Sequence, residues 1–117
     1  MGRSCAQTTM TDELQHRIFK IIQRNPAINQ RGLSRELGIS LGKANYCIKA
    51  LVEKGWVKIN NFRNNQNKLG YAYVLTPTGI EEKASVTLRY LKRKMREYDE
   101  LKLAVEELKK DLNPTEV

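Results

Sequence analysis

The polar residues with the clearest chemical use lie at the start of a helix predicted over residues 41–54. Asn45 carries the amide group that makes a bidentate contact with adenine, and Lys43 can donate to O6 or N7 of guanine. Tyr46 can pack on a thymine methyl group or donate to a phosphate, and Gly42 permits close approach of the backbone. These residue types at the start of one helix favour contact with base edges in the major groove of DNA. The competing interpretation is an exposed helix face whose polar side chains are only solvated.

A second set of side chains is suited to phosphate rather than to bases. Ser40 and Lys49 belong to the same helix, and Arg31 and Arg35 belong to the segment before it. Further along, residues 61–70 are rich in Asn and contain no acid. In this loop, the residues expected to lie on the DNA backbone or to reach into the minor groove are Arg63, Asn65, Gln66 and Lys68. The alternative for the loop is a mobile, soluble connection without a ligand.

Capping residues mark the ends of three helices that would position these side chains. They are Thr11, Asn29 and Ser40 at the starts, and Asn25-Pro26, Gly38 and Gly55 at the ends. Apolar residues recur at helical spacing between the caps, so each helix has one face suited to a core. The second and third helices are joined by a short turn that contains Gly38, and the third begins with exposed polar residues. This order is the plan of a helix-turn-helix.

Two β-strands are predicted after the third helix. Residues 56–60 and 71–75 are rich in aromatic and β-branched side chains, and residues 61–70 form the long tip of a hairpin between them. Three helices followed by a hairpin make a winged helix. We therefore expect a mainly α fold with a small β-hairpin wing (α+β), in which a winged helix-turn-helix over residues 11–76 follows a disordered tail at 1–10.

A long helix is predicted over residues 77–113. From Ile80 to Leu112 its apolar residues recur every three or four positions, so the stripe is about 48 Å long. Such a stripe either covers the core of its own domain or forms a coiled-coil seam between two chains, and its length favours the seam. The residues predicted to make a homodimer are Leu88, Leu91, Met95, Tyr98, Val105, Leu108 and Leu112.

Composition narrows the class of partner. The 117 residues carry a net charge of +8, and the excess lies entirely before residue 80, because residues 80–117 hold nine charges of each sign. This distribution suits a polyanion bound by the first part of the chain. The sequence has no apolar run long enough for a membrane span and no signal peptide, so we expect no membrane partner and a cytoplasmic location.

Enzymatic chemistry finds no support in the sequence. His16 is the sole histidine and is expected on the surface, and Cys47 lies on an apolar stripe and is expected to be a buried thiol. No zinc-type spacing, phosphate-binding glycine loop or nucleophile–base pair occurs. We therefore predict a protein that is not an enzyme, without a metal and without a cofactor. The sequence does not identify a small-molecule effector.

Two segments resemble a known family. Residues 39–57 are similar to the junction between recognition helix and strand in MarR-type regulators, and residues 75–79 (Leu-Thr-Pro-Thr-Gly) resemble their Leu-Thr-x-x-Gly step into the dimerisation helix. The loop residues 60–73 resemble the subgroup known as EPS-associated MarR-family transcriptional regulators, although the Asp-Arg pair usual in MarR wings is missing.

The resemblance implies a transcriptional regulator that binds double-stranded DNA as a homodimer at a near-palindromic operator. It also implies that the protein is a repressor and that its targets are exopolysaccharide genes. The sequence itself does not determine the operator sequence, the choice between repressor and activator, the target genes or the orientation of the two helices in the dimer. The alternative of a different class is a winged helix used as a protein-interaction module, with the coiled coil as its binding site and no specific DNA.

Overall fold

The computed structural model describes residues 10–63 and 69–112, apart from the side chains of residues 61–63 and 69–71. Three short helices come first: α1 (Asp12–Arg24), α2 (Gln30–Leu37) and α3 (Leu41–Glu53). Strands β1 (Val57–Arg63) and β2 (Leu69–Leu75) follow, and the long helix α4 (Pro77–Leu112) completes the chain. The order is the one predicted for a winged helix with an extended C-terminal helix.

The predicted caps are confirmed atom by atom. The hydroxyl of Thr11 accepts from the amide of Leu14 at 3.1 Å, and the hydroxyl of Ser40 accepts from the amide of Lys43 at 3.0 Å. Asn29 caps α2 in the same way. Gly38 has a φ of 72°, a left-handed conformation that favours glycine, and this lets α2 turn sharply into α3.

The two strands are longer than the sequence indicated. They pair antiparallel, with Val57 opposite Leu75 at the base and Arg63 opposite Leu69 at the far end. The prediction of a hairpin tip over residues 61–70 is therefore wrong in its extent, since both strands continue into it. Polar residues such as Asn60 and Asn61 can extend a two-stranded ribbon, because the backbone ladder needs no apolar side chain where both faces meet water.

The core lies between the three short helices and the base of the hairpin. Among its largest fully buried side chains are Phe19, Leu33, Ile48 and Leu51. The long helix adds Val86, which is 0% exposed, although the apolar periodicity of the sequence did not single this residue out. Each residue of an α-helix is rotated by about 100° from the one before it, so Leu88 lies about 200° around the helix from Val86. The predicted stripe therefore faces away from the core.

We call this exposed stripe the α4 seam. Leu88 is 51% exposed and Met95 is 57% exposed, so the seam does not cover the core of its own domain. Its large side chains are Ile80, Leu88, Leu91, Met95, Tyr98, Leu101, Val105, Leu108 and Leu112, and all of them are exposed.

The contact of α1 with α4 is largely polar around Val86. Gln15 donates to the carboxylate of Glu82 at 3.1 Å. Arg89 donates to Asp12 at 3.2 Å and to Glu82 at 3.4 Å, and its hydrogen bond with Asp12 raises the pKa of the guanidinium. Because Arg89 is half exposed, each of these ion pairs stabilises the fold only slightly.

The start of α4 is fixed by a contact that only glycine permits. A Cβ atom on Gly79 would lie 2.0 Å from the carbonyl oxygen of Trp56. The amide of Thr76 donates to that same oxygen at 3.0 Å, and the hydroxyls of Thr76 and Thr78 both donate to the carbonyl of Gly55. The end of α3, the base of the hairpin and the first turn of α4 are thereby joined at one point.

Replacing Gly79 with alanine should destabilise the fold by about 3 kcal/mol or more, because a backbone oxygen cannot move aside as a flexible side chain can. Gly42→Ala is the matched control, since nothing lies within 4 Å of the added methyl group. In that exposed helical position alanine should stabilise by about 0.5–1 kcal/mol. Urea denaturation at one protein concentration measures both changes. Equal stability of the two variants would contradict the close approach of α4.

Candidate nucleic-acid interface

Helix α3 has one buried face and one face open to solvent. Ala44, Cys47, Ile48 and Leu51 are buried and hold the helix against the core. The opposite face carries side chains that the sequence assigned to base or phosphate contact, and the structure leaves Gly42, Asn45 and Lys49 exposed and Lys43 half-buried there. The Ser40 cap fixes the first turn, so this face belongs to a rigid element.

Tyr46 lies at one edge of that face. It is 45% exposed and lines one side of a cleft of about 370 Å³ between α3 and α4. Ala50, Lys54 and Trp56 continue the same wall, and Glu82 and Arg89 line the cleft from α4. Tyr46 therefore sits between the outward face of α3 and the cleft.

Helix α2 supplies a second exposed basic group. Arg31 and Arg35 are exposed, whereas Leu33 and Leu37 point into the core. Glu36 is the single acid of α2, and it forms an ion pair with Arg24 at 2.7 Å. Its negative charge is thus partly offset by α1, and the remaining charges on α2 are positive.

The structure describes only part of the hairpin that holds the predicted wing contacts. The backbone of β1 reaches Arg63, and that of β2 starts at Leu69. The side chain of Arg63 and the whole of Asn65, Gln66 and Lys68 lie outside the described residues. Lys58, nearer the base of the hairpin, is exposed.

His16 occupies a different place from the one expected. The sequence predicts a surface residue, but the ring packs between α1 and α4, with its centroid 5.5 Å from that of Tyr90. Within the described part of the chain its Nδ1 atom is buried and has no hydrogen-bond partner. Burial lowers the pKa of the imidazole, and Lys20 and Lys83 lower it further. The sequence around His16 could not predict this contact, because it depends on where α4 packs against α1.

Cys47 is fully buried, as the sequence predicted, and burial raises the pKa of its thiol. Among residues 10–63 and 69–112, no group of three or more His, Cys, Asp or Glu side chains could hold a metal ion. None of the helices in this part of the chain is long and apolar enough to cross a membrane.

Comparison with known proteins agrees with the geometry. Residues 11–58 match the family of winged helix-turn-helix DNA-binding domains. This segment is a winged helix-turn-helix. It contains α1, α2, α3 and the first residues of β1, so the outward face of α3 lies within the matched region.

Two solved structures share the wider fold. MarR of Staphylococcus aureus, determined in complex with salicylate and kanamycin, is 19% identical over 85% of this chain and 69% of its own, with a TM-score of 0.52. A MarR transcriptional regulator from Methanosarcina mazei Go1 is 21% identical over 83% of this chain and 74% of its own, with a TM-score of 0.50. No curated protein matches the chain. At these identities the likeness establishes the fold, which includes the long helix beyond the winged domain.

The half-buried imidazole of His16 should make stability depend on pH. Its pKa in the folded protein lies below the ordinary 6.5, so the unfolded chain binds the proton more readily. The free energy of unfolding should therefore be highest above about pH 7 and fall as the pH drops below about 6.5.

Urea denaturation at several pH values measures this slope, and His16→Gln is the comparison, because the chain has no other histidine. The variant should lose most of the slope above pH 5.5, where carboxylates scarcely titrate. A variant with the same slope as the wild type would refute the assignment to His16.

Proposed function

We propose that the protein is a transcriptional regulator that binds specific double-stranded DNA as a homodimer. The observation that carries the proposal is the outward face of α3, where Lys43 and Asn45 stand on a rigid, capped helix within a winged helix-turn-helix. A polar face on a helix of this fold is suited to the major groove, where each base pair presents a distinct pattern of donors and acceptors.

The first two turns of α3 contact the bases in this proposal. In this proposal Asn45 pairs with adenine, Lys43 donates to guanine, and Gly42 lets the backbone come close to the bases. The open space beside Gly42 supports close approach, since nothing in the chain lies within 4 Å of where its Cβ would be. Tyr46, at the edge of this face, packs on a thymine methyl group or donates to a phosphate.

Phosphate contacts orient the domain on the duplex without reading sequence. Arg31 and Arg35 serve from α2, and Ser40 and Lys49 serve from α3. All four are exposed. Arg63, Asn65, Gln66 and Lys68 of the hairpin complete the interface along the backbone or in the minor groove.

Two copies of the chain join through the α4 seam. An exposed apolar stripe about 48 Å long is far larger than a single soluble domain leaves open without a partner. A two-fold dimer presents two α3 helices, so its operator is a near-palindrome with half-sites roughly 34–36 Å apart. The resemblance to EPS-associated regulators supports a repressor of exopolysaccharide genes, which acts by occupying its operator.

The alternative of a protein-interaction module draws on the same seam. It needs the polar residues of α3 only as a solvated surface, and it leaves the basic charge before residue 80 without a use. A gel shift on DNA upstream of the protein's own operon separates the two functions, because only the regulator forms a specific complex there.

Asn45→Ala should weaken binding to the best operator by about 1–3 kcal/mol, roughly five- to 150-fold in Kd, and change random DNA little. Arg35→Ala is the matched control, since loss of a phosphate contact weakens all sequences alike and lowers the salt dependence. Selection from random DNA with wild type and both variants measures this. If wild type and Asn45→Ala recover the same motif, α3 does not read bases through Asn45. If wild type recovers none, the regulator proposal is wrong.

Changing Leu91 and Met95 together to Glu should convert the dimer to monomers, because each charge would be buried in the seam without a partner. Ser85→Glu combined with Lys110→Glu is the control, as both side chains are exposed and neither belongs to the seam. Light scattering at roughly tens of micromolar gives the molar mass. A monomeric wild type at that concentration would exclude the α4 seam as a dimer interface.

A further inference from the structure

Helix α4 is divided into two halves of opposite charge. Residues 80–96 hold six basic and two acidic side chains, a net charge of +4. Residues 97–112 hold six acidic and three basic ones, a net charge of −3. The sign changes between Arg96 and Glu97.

The α4 seam has its midpoint at the same place. It runs from Ile80 to Leu112, so its centre is residue 96. Every large side chain of the seam is exposed, and in the first half the seam faces away from Val86, the residue that anchors α4 to the core. One face of the helix is thus apolar along its whole length, and the net charge of the helix changes sign halfway.

We propose that the occupant of the α4 seam is a second copy of the same helix in antiparallel orientation, centred at residues 96 and 97. This inference rests on the proposed dimer and specifies its geometry. When two such helices overlap fully head to tail, the half of charge +4 lies on the half of charge −3 at both ends of the pair. The apolar stripes then match along their full length, since both features share one centre.

A parallel pair would place like halves side by side. The two basic halves would face each other at an interaxial distance of about 8–10 Å, which is comparable to the Debye length of about 8 Å at physiological salt, so their repulsion would be only partly screened. Individual contacts such as Lys94 with Asp99 of a second copy are compatible with either orientation. The net charge of the halves therefore distinguishes the two arrangements, and it favours the antiparallel one.

The antiparallel pair also sets the distance between the two DNA-binding domains. With the centre at 96 and 97, Val86 lies opposite residue 107 of the second copy. The 21 residues between them correspond to about 32 Å along the axis, so the points at which the two domains are anchored are about 32 Å apart. Half-sites one helical turn apart on DNA require roughly 34–36 Å, which this spacing approaches without bending either helix.

Distances between spin labels test the orientation directly. Ser85→Cys and Ala104→Cys are made separately in a Cys5→Ser background, in which the buried Cys47 does not react. Both labelled positions are exposed and lie outside the seam. In the antiparallel dimer the axial separation between equivalent positions is about 35 Å for residue 85 and about 22 Å for residue 104. Double electron–electron resonance on the full-length dimer should therefore give two clearly different distances, the longer one for residue 85.

Similar short distances at both positions, under about 20 Å, would overturn the antiparallel proposal and leave the dimer itself in place. Monomers in light scattering of the unlabelled protein would overturn the dimer as well. The Leu91 and Met95 double Glu variant serves as the control, because in that background both distances should disappear if they arise from the seam.

Discussion

The close approach of Gly79 to the carbonyl of Trp56 is the constraint on which the arrangement of the long helix depends. A backbone oxygen 2.0 Å from a hypothetical Cβ leaves no other residue type at this position. The carbonyl of Gly55 accepts hydrogen bonds from the hydroxyls of Thr76 and Thr78, and the carbonyl of Trp56 accepts one from the amide of Thr76. Gly55 and Trp56 connect the end of α3 to the start of β1. The direction of α4 is therefore set at its first turn, before any of its side chains reaches the core. Backbone atoms on both sides make the joint stiff, since neither can move through a change of rotamer.

Beyond this joint, α4 is held to the domain by the buried Val86, by the packing of Tyr90 against His16 and by several polar contacts. Among the polar contacts, Glu82 accepts hydrogen bonds from Gln15 and Arg89. Exposed ion pairs add little stability, so α4 is held to its own domain mainly by Val86, by the contact of Tyr90 with His16 and by the glycine joint. The large apolar side chains of α4 are directed elsewhere. Most of the hydrophobic surface of α4 lies outside its own core and needs another partner to bury it. The seam and the contact with the core therefore occupy opposite sides of the helix.

The local features of this fold could be read from the sequence, and the long-range ones could not. Thr11, Asn29 and Ser40 were predictable caps because a side chain and an amide three residues away decide them. Cys47 was predictable as buried because it shares a helical stripe with Ile48 and Leu51. The burial of Val86 and the contact of His16 with Tyr90 were not predictable, because both depend on how α4 crosses α1. The stronger periodicity of the seam also masked the single valine. The strand ends were misjudged because backbone pairing continues through polar residues. In the candidate DNA surface, the exposed face of α3 could be predicted from the apolar stripe on its other side. The position of Tyr46 beside the cleft with α4 could not, because it depends on the tertiary arrangement.

Helix α4 carries both the contact with its own domain and the seam proposed to form the dimer. The geometry of the dimer and that of the DNA surface are therefore coupled. The core contact at Val86 and the centre of the seam at residue 96 are ten residues apart, which fixes about 15 Å of axial offset between each domain and the two-fold axis. In the proposed antiparallel pair, the position of α3 on DNA therefore depends on the direction that Gly79 imposes on α4 and on the register of the seam. A small rotation at the joint would move α3 relative to its half-site while leaving the core of each domain intact. The cleft between α3 and α4, lined by Tyr46, Trp56 and Arg89 among others, lies beside that joint. The spacing of the two α3 helices is thus set by the glycine joint and by the register of the seam, whereas the fold of each domain is set by its own core.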